Sequence, residues 1–174
     1  VADARRAVAV AQHAMATIFS ALAKPGDRVL TEALTYPGMK ALSNLLHLPL
    51  EAVAMDAEGM RVDALADALA RSGARFLYCM PTIHNPTGSV LSAARRQALA
   101  ELARAHAVAL IADDVHRFLA PAAPIGRRAN ACQCCSTRIT SPFSSAGLSR
   151  TAIGCVSDSI EFHPTTSRPC WPMA

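Results

Sequence analysis

This sequence predicts an α/β fold, a doubly wound and mostly parallel sheet, followed by an irregular C-terminal tail. Three observations carry that expectation. Short apolar runs alternate with stretches of helical spacing through roughly the first 120 residues, the pattern of βαβ units. Two of the runs lead into polar residues: Phe76-Leu77-Tyr78-Cys79-Met80 precedes Asn85-Pro86-Thr87-Gly88, and Val108-Ala109-Leu110-Ile111-Ala112 precedes Asp113-Asp114. Ligands of open α/β sheets sit beyond the carboxyl ends of strands, where both polar groups fall. Hydrophobic residues are 52% of the 174, enough for one packed domain.

Met15, Ile18 and Leu22 share one face of a helix expected from about Ala7 to Ala23. Lys24-Pro25-Gly26-Asp27 stops it, because Pro and Gly cannot continue a helix. Arg28 to Thr31 reads as a strand, Tyr36-Pro37-Gly38 as a turn, and Met39 to Leu46 as a helix. Leu50 to Ala54 is a second strand, closed by the polar turn Asp56 to Gly59. Val62, Leu65 and Leu69 have helical spacing, and Gly73 stands where a helix ends in the left-handed conformation. Phe76 to Met80 is a strand, and Ser92 caps a helix to His106 that buries Leu99, Leu102 and Ala103. Val108 to Ala112 is the last clear strand.

Residues 126–174 differ in texture. They hold eight Ser, five of the six Cys and four Pro, and only Gly147 to Val156 has a faint strand-like trace. This part reads either as a loop or linker or as a reading-frame error in the source sequence. The domain division expected is therefore 1–125 ordered and 126–174 irregular. The net charge of +4 is concentrated there as well, +3 in the tail against +1 before it. Such an excess does not describe a nucleic-acid-binding face. No run approaches a membrane span and no signal peptide is visible, so a cytoplasmic location is expected. The chain opens at Val1 inside a helical pattern, which suggests an internal piece of a longer protein.

Metal readings are weak. Asp113 and Asp114 lack further carboxylates at ligand spacing. Cys132-Gln133-Cys134-Cys135 is too tight for a two-plus-two zinc knuckle, and no base accompanies any Cys as in a Cys–His protease. No metal site is expected.

Five segments occur in a familiar order over residues 8–120: Ala11-Gln12-His13-Ala14, Lys24-Pro25-Gly26-Asp27, Thr35-Tyr36-Pro37-Gly38, Pro81-Thr82-Ile83-His84-Asn85-Pro86-Thr87-Gly88 and Ile111-Ala112-Asp113-Asp114-Val115-His116. In this the chain resembles the class I/II, fold-type I, pyridoxal-phosphate-dependent aminotransferases, most closely the aminotransferase-like domain of MocR-type regulators of the GntR group. Each segment alone is weak; five in order and spacing are specific.

The resemblance implies part of the large domain of that fold and pyridoxal 5'-phosphate as cofactor. It implies that Asp113 meets the pyridine nitrogen, Asn85 donates to the ring hydroxyl oxygen, and Tyr36 stacks on the ring. His116 stands where the family has a Tyr that partners the same hydroxyl. Ala11, Gln12 and His13 match a loop and helix start whose N–H groups hold the phosphate, although Val10-Ala11 replaces the usual Gly. Each residue also has a plainer reading: a solvated strand-end acid or His, an ordinary Asn-Pro turn, a half-buried Tyr, surface helix residues.

The family lysine that bonds the cofactor is missing. The only lysines, Lys24 and Lys40, precede both site strands, and Ser145 falls on the family position. No residue is therefore assigned a catalytic role. The Arg that helps hold the phosphate would fall on Ala152, and the small domain that clamps the substrate carboxylate is not represented.

Two functions follow from the resemblance. One is a fragment of an aminotransferase acting on an amino acid and a 2-oxo acid, inactive alone, from a homodimeric parent. The other is a pyridoxal-phosphate-sensing effector domain of a transcriptional regulator, touching DNA only through a domain outside these residues. No membrane partner is expected in either case.

Overall fold

The computed structural model describes residues 2–119 and 137–140. Helix α1 (Ala2–Leu22) leads to strand β1 (Val29–Glu32), α2 (Pro37–Leu45) and β2 (Leu50–Val53). A small hairpin, β3 (Met55–Asp56) and β4 (Gly59–Met60), precedes α3 (Val62–Ser72) and β5 (Phe76–Cys79). Helix α4 (Ala93–Ala105), β6 (Ala109–Asp113), a single 3-10 turn at Arg117–Leu119 and β7 (Thr137–Thr140) complete the order.

The main sheet runs β2-β1-β5-β6-β7, with β2, β1, β5 and β6 mutually parallel and β7 antiparallel to β6. The doubly wound, mostly parallel sheet is present as expected. The chain moves outward from β1 to β2, then returns to the other side of β1 as β5. This places a topological switch point between β1 and β5, where such sheets bind ligands. In register, Thr31 lies opposite Tyr78 and Tyr78 opposite Ile111, so the carboxyl ends of β1, β5 and β6 finish level.

Alternation along the strands builds a core on each face. On one, Met15, Ile18 and Phe19 of α1 and Met39 of α2 pack against Phe76, Tyr78, Ala109 and Ile111. The Phe19 and Phe76 rings meet edge to face at 5.6 Å between centroids. On the other, Leu65 and Leu69 of α3 and Leu99 and Ala103 of α4 cover Leu30, Leu77, Cys79 and Leu110. Continued to the end of β6, the alternation sends Asp113 toward the α1 face and Asp114 toward the α4 face.

Local signals set the helix ends. Gly73 closes α3 at φ 58°, and the Ser92 hydroxyl accepts from the Arg95 N–H at 3.3 Å. Ser92→Ala is expected to cost about 1 kcal/mol, read as a lowered midpoint in denaturant unfolding. Helix α2 starts at Pro37, two residues before the expected Met39, because Pro is pre-set for the first helical position. The expected polar turn at Asp56 to Gly59 is the tip of the β3–β4 hairpin.

The expectation of an irregular tail is corrected at one place. Thr137–Thr140 pairs with Leu110–Asp113 as β7. Its β-branched residues suit a strand, and it covers the outer edge of β6, which would otherwise be unpaired. Ser145, Ala152 and the trace at 147–156 lie outside the described residues, as do Cys132, Cys134, Cys135, Cys155 and Cys170.

Candidate functional site

A cavity of about 100 Å³ opens at the carboxyl ends of the strands on the α1 face. It is lined by Ala11, Gln12, Met15, Tyr36, Met80, Asn85, Asp113, Val115 and His116. Six of the seven residues that the sequence nominated for cofactor contact are among them, drawn from α1 and from the ends of β1, β5 and β6.

Asp113 ends β6 and is 1% exposed. The Tyr78 hydroxyl donates to its Oδ2 at 3.0 Å, and the Val115 N–H donates to its Oδ1 at 3.2 Å. Burial pushes the Asp113 carboxyl above the ordinary aspartate range, against the lowering effect of the Tyr78 and Val115 bonds and of His116. Burial and the nearby Asp113 charge push the Tyr78 phenol far up, so it stays a donor. A desolvated carboxylate with neutral hydrogen-bond partners favours a proton or a cation at its open side. Tyr78 is a residue the sequence reading missed. It has the parity of Phe76 and Met80, and its hydroxyl at the end of an otherwise apolar strand was the available signal.

Asp114 does different work. Its Oδ1 accepts from Thr82 Oγ1 at 2.7 Å, and the guanidinium groups of Arg96 and Arg117 lie 3.9 and 3.8 Å away. Arg96 also donates to the carbonyls of Pro81 at 2.6 Å and Leu91 at 2.9 Å. Asp114 thereby ties the loop after β5 to β6 from behind, outside the cavity. Among the described residues no group of three or more His, Cys, Asp or Glu side chains is placed to hold a metal.

Tyr36 follows β1 as the residue before α2, half-buried against the α1 core. Gln12 Nε2 donates to its hydroxyl at 2.6 Å. A Cβ at Gly38 would lie 2.2 Å from Cε1 of the Tyr36 ring, so the ring's place over the cavity requires glycine. Gly38→Ala is expected to displace the ring and break the Gln12 bond. The ring can swing away, so stability should change little, while ligand affinity should fall several-fold. Isothermal titration beside thermal unfolding would separate the two effects.

Asn85 opens the Asn-Pro turn, and its peptide bond to Pro86 is cis. His116 Nδ1 lies 2.9 Å from the Ile83 carbonyl and so carries a proton toward it. In a neutral ring Nε2 would then be the acceptor, open to a ligand hydroxyl.

One expectation is corrected. Ala11, Gln12 and His13 lie within α1, nine or more residues from its start, and not at a loop–helix junction. With Val10-Ala11 in place of a glycine, nothing breaks the helix there. Interior N–H groups are bonded to carbonyls four residues back and cannot cradle a phosphate. Ala11 and Gln12 reach the cavity by their side chains, and His13 is exposed and does not line it. The lining also holds no Lys or Arg. The donor set therefore suits a nitrogen heterocycle with a hydroxyl and provides no anion cradle among the described residues.

A larger hollow of about 480 Å³ lies away from the strand ends, between the β3–β4 hairpin, α3 and α4. Its Arg61 pairs with Asp63, and its Arg95 pairs with Asp56 and Glu58. It has no converging unsatisfied groups, so the smaller cavity is the candidate site.

Residues 8–152 match the family described as aminotransferase class I and II. The chain belongs to that family. The aminotransferase match extends past the expected ordered part into residues 126–152. An aminotransferase from Metarhizium robertsii, swnA, is 41% identical over 101 residues, 54% of this chain and 20% of that protein. The Bacillus subtilis HTH-type transcriptional regulator YdeF is 31% identical over 108 residues, 62% of this chain and 23% of that protein. Among solved structures, an α-aminoadipate aminotransferase from Thermus thermophilus, complexed with N-(5'-phosphopyridoxyl)-L-leucine, superposes with a TM-score of 0.57 at 30% identity. That match covers 60% of this chain and 27% of the other. A Pyrococcus horikoshii kynurenine aminotransferase in complex with PMP gives 0.55 at 30% identity over 57% and 26%. This aminotransferase-family chain thus spans between a fifth and three tenths of the length of the curated relatives it matches. Among the described residues no helix is long and apolar enough to cross a membrane.

Proposed function

We propose that the cavity is the ring subsite for pyridoxal 5'-phosphate in a cytoplasmic aminotransferase-family protein, and that these residues alone do not transaminate. The observation that carries the reading is the buried Asp113 carboxylate on a cavity whose other walls include an aromatic ring, two amides and an imidazole among apolar side chains. When bound, the cofactor supplies a ring able to accept electrons from an amino acid's carbon. Asp113 would hold the proton on the pyridine nitrogen, with Tyr78 fixing the carboxylate. Tyr36 would cover one ring face, held by Gln12. Asn85 would donate to the ring hydroxyl oxygen, and His116 Nε2 would accept from that hydroxyl. An amino acid and a 2-oxo acid are the substrates proposed for the parent protein, a homodimer.

Lys24 and Lys40 are exposed and do not line the cavity, so neither is placed to bond the cofactor. Titration of the chain with pyridoxal 5'-phosphate should show saturable binding. Borohydride reduction and peptide mapping should then find no stoichiometric pyridoxyl group on Lys24 or Lys40. Stoichiometric labelling of either, or turnover of an amino acid by the unmodified chain, would overturn the account.

A second reading is favoured by the likeness to YdeF together with a chain whose only lysines stand away from the cavity. In it the cavity senses the cofactor for a transcriptional regulator, and DNA is contacted by another part of the parent. A winged-helix segment encoded upstream of Val1 would decide for it.

A further inference from the structure

Glu32 closes β1 on one side of the switch point, and His84 lies in the loop after β5 on the other. Both side chains are about 1% exposed. Glu32 Oε1 accepts from the Met80 N–H at 3.0 Å. Its Oε2 and His84 Nε2 are both buried without a hydrogen-bond partner, and they lie 3.9 Å apart. The rest of His84 is engaged: Nδ1 lies 2.9 Å from Thr87 Oγ1, the backbone N–H donates to Ser89, and the carbonyl accepts from Gly88.

The proton count follows from these contacts. With no proton between them, the two buried atoms present lone pairs to each other. With two, they present two donors. One proton, on Glu32 Oε2 or His84 Nε2, sets one donor facing one acceptor, and closing the 3.9 Å gap by about 1 Å makes the bond that relieves the desolvation penalty of both.

We propose that Glu32 and His84 hold one proton between them, and that this bridge makes Glu32 the residue that positions the Asn85 loop over the sheet end. Met80 and His84, the two ends of the segment leading to Asn85, then hang on a single carboxyl group. Thr82, between them, is held from the other side by Asp114 and Arg96. The surroundings agree. Burial, with a smaller contribution from the Asp113 charge, pushes Glu32 up to about 7, against the Met80 amide. Burial pushes His84 down, against the Leu34 carbonyl. Burial above all, and Glu32 to a smaller extent, raises the neighbouring Tyr78 and Cys79, and Asp114 and Arg96 act on Cys79 with opposite signs. Both shifts disfavour the pair of full charges, an ionised Glu32 beside a cationic His84.

The test uses the full chain without ligand, so its outcome is independent of what fills the cavity. In NMR titrations the Glu32 carboxyl and the His84 ring should report one shared step near pH 7. Glu32→Gln keeps an acceptor for Met80 and a donor for His84. It should abolish that step and leave the Asn85 side-chain amide resonance in place. Glu32→Leu should abolish the step and also shift or broaden that resonance. Separate titrations of Glu32 and His84 at ordinary carboxyl and imidazole values would overturn the proposal. So would an Asn85 resonance that Glu32→Leu leaves unmoved. If Glu32→Leu does not fold, the wild-type titration and Glu32→Gln decide.

Discussion

Asp113→Asn is expected to weaken pyridoxal 5'-phosphate binding by about ten- to a hundredfold, while Asp114→Asn leaves affinity within about threefold and lowers stability instead. An amide cannot hold a charge on a pyridine nitrogen, and losing a charge-assisted bond costs roughly 1.5–3 kcal/mol. The two adjacent acids separate because they leave β6 toward opposite faces. Asp113 lines the cavity, whereas Asp114 binds Thr82 and stands beside Arg96 and Arg117. With Asp114→Asn the Arg pairs are weakened in a mostly buried setting, a cost of about 1–3 kcal/mol in unfolding. Equal loss of affinity at both positions would mean that the strand-end register is wrong.

The second large effect is on stability and pH. Glu32 rises from an ordinary value of 4.5 to about 7 in the folded chain. The folded state therefore binds this proton more tightly than the unfolded state does. The stabilisation is complete below pH 4.5 and is lost as pH rises through about 7. At about 1.4 kcal/mol per pH unit it amounts to roughly 3 kcal/mol. Asp113 titrates in the same sense, and depressed His84 in the opposite sense, so the raw profile mixes all three. The difference between wild type and Glu32→Gln reports the Glu32–His84 pair, with Asp113 common to both proteins. Denaturant unfolding from pH 4 to 8 should show the wild type losing stability relative to the variant across that window. Parallel curves would contradict the assignment.

What was legible in the sequence was local. Ser92 announces a cap three residues before the N–H it binds, and Gly73 announces a helix end. The Asn85 and Asp113 motifs could be placed because each directly follows an apolar strand, and parallel register then brings them together. What was hidden depends on long separations or on very short elements. Glu32 and His84 are 52 positions apart, and neither looks unusual until β1 and β5 are paired. Tyr78 reads as a core aromatic until β6 delivers Asp113 to its hydroxyl. Hairpin β3–β4 has two residues per strand, too few for alternation to stand out, and β7, Thr-Arg-Ile-Thr, lacks the unbroken apolar run that marks β5. Gln12 was nominated for its backbone and arrives by its side chain, because the helix does not break at Val10-Ala11.

The most direct measurement of the central claim is the protonation state of the bound ring. Pyridoxal 5'-phosphate with an isotope-labelled ring nitrogen would be bound to the wild type, Asp113→Asn and Asp114→Asn and observed by NMR near neutral pH. A pyridinium signal in the wild type and in Asp114→Asn, lost in Asp113→Asn, is the result the buried carboxylate at the end of β6 predicts. A nitrogen that is unprotonated in the wild type, or protonated equally in Asp113→Asn, would show that Asp113 does not face the ring.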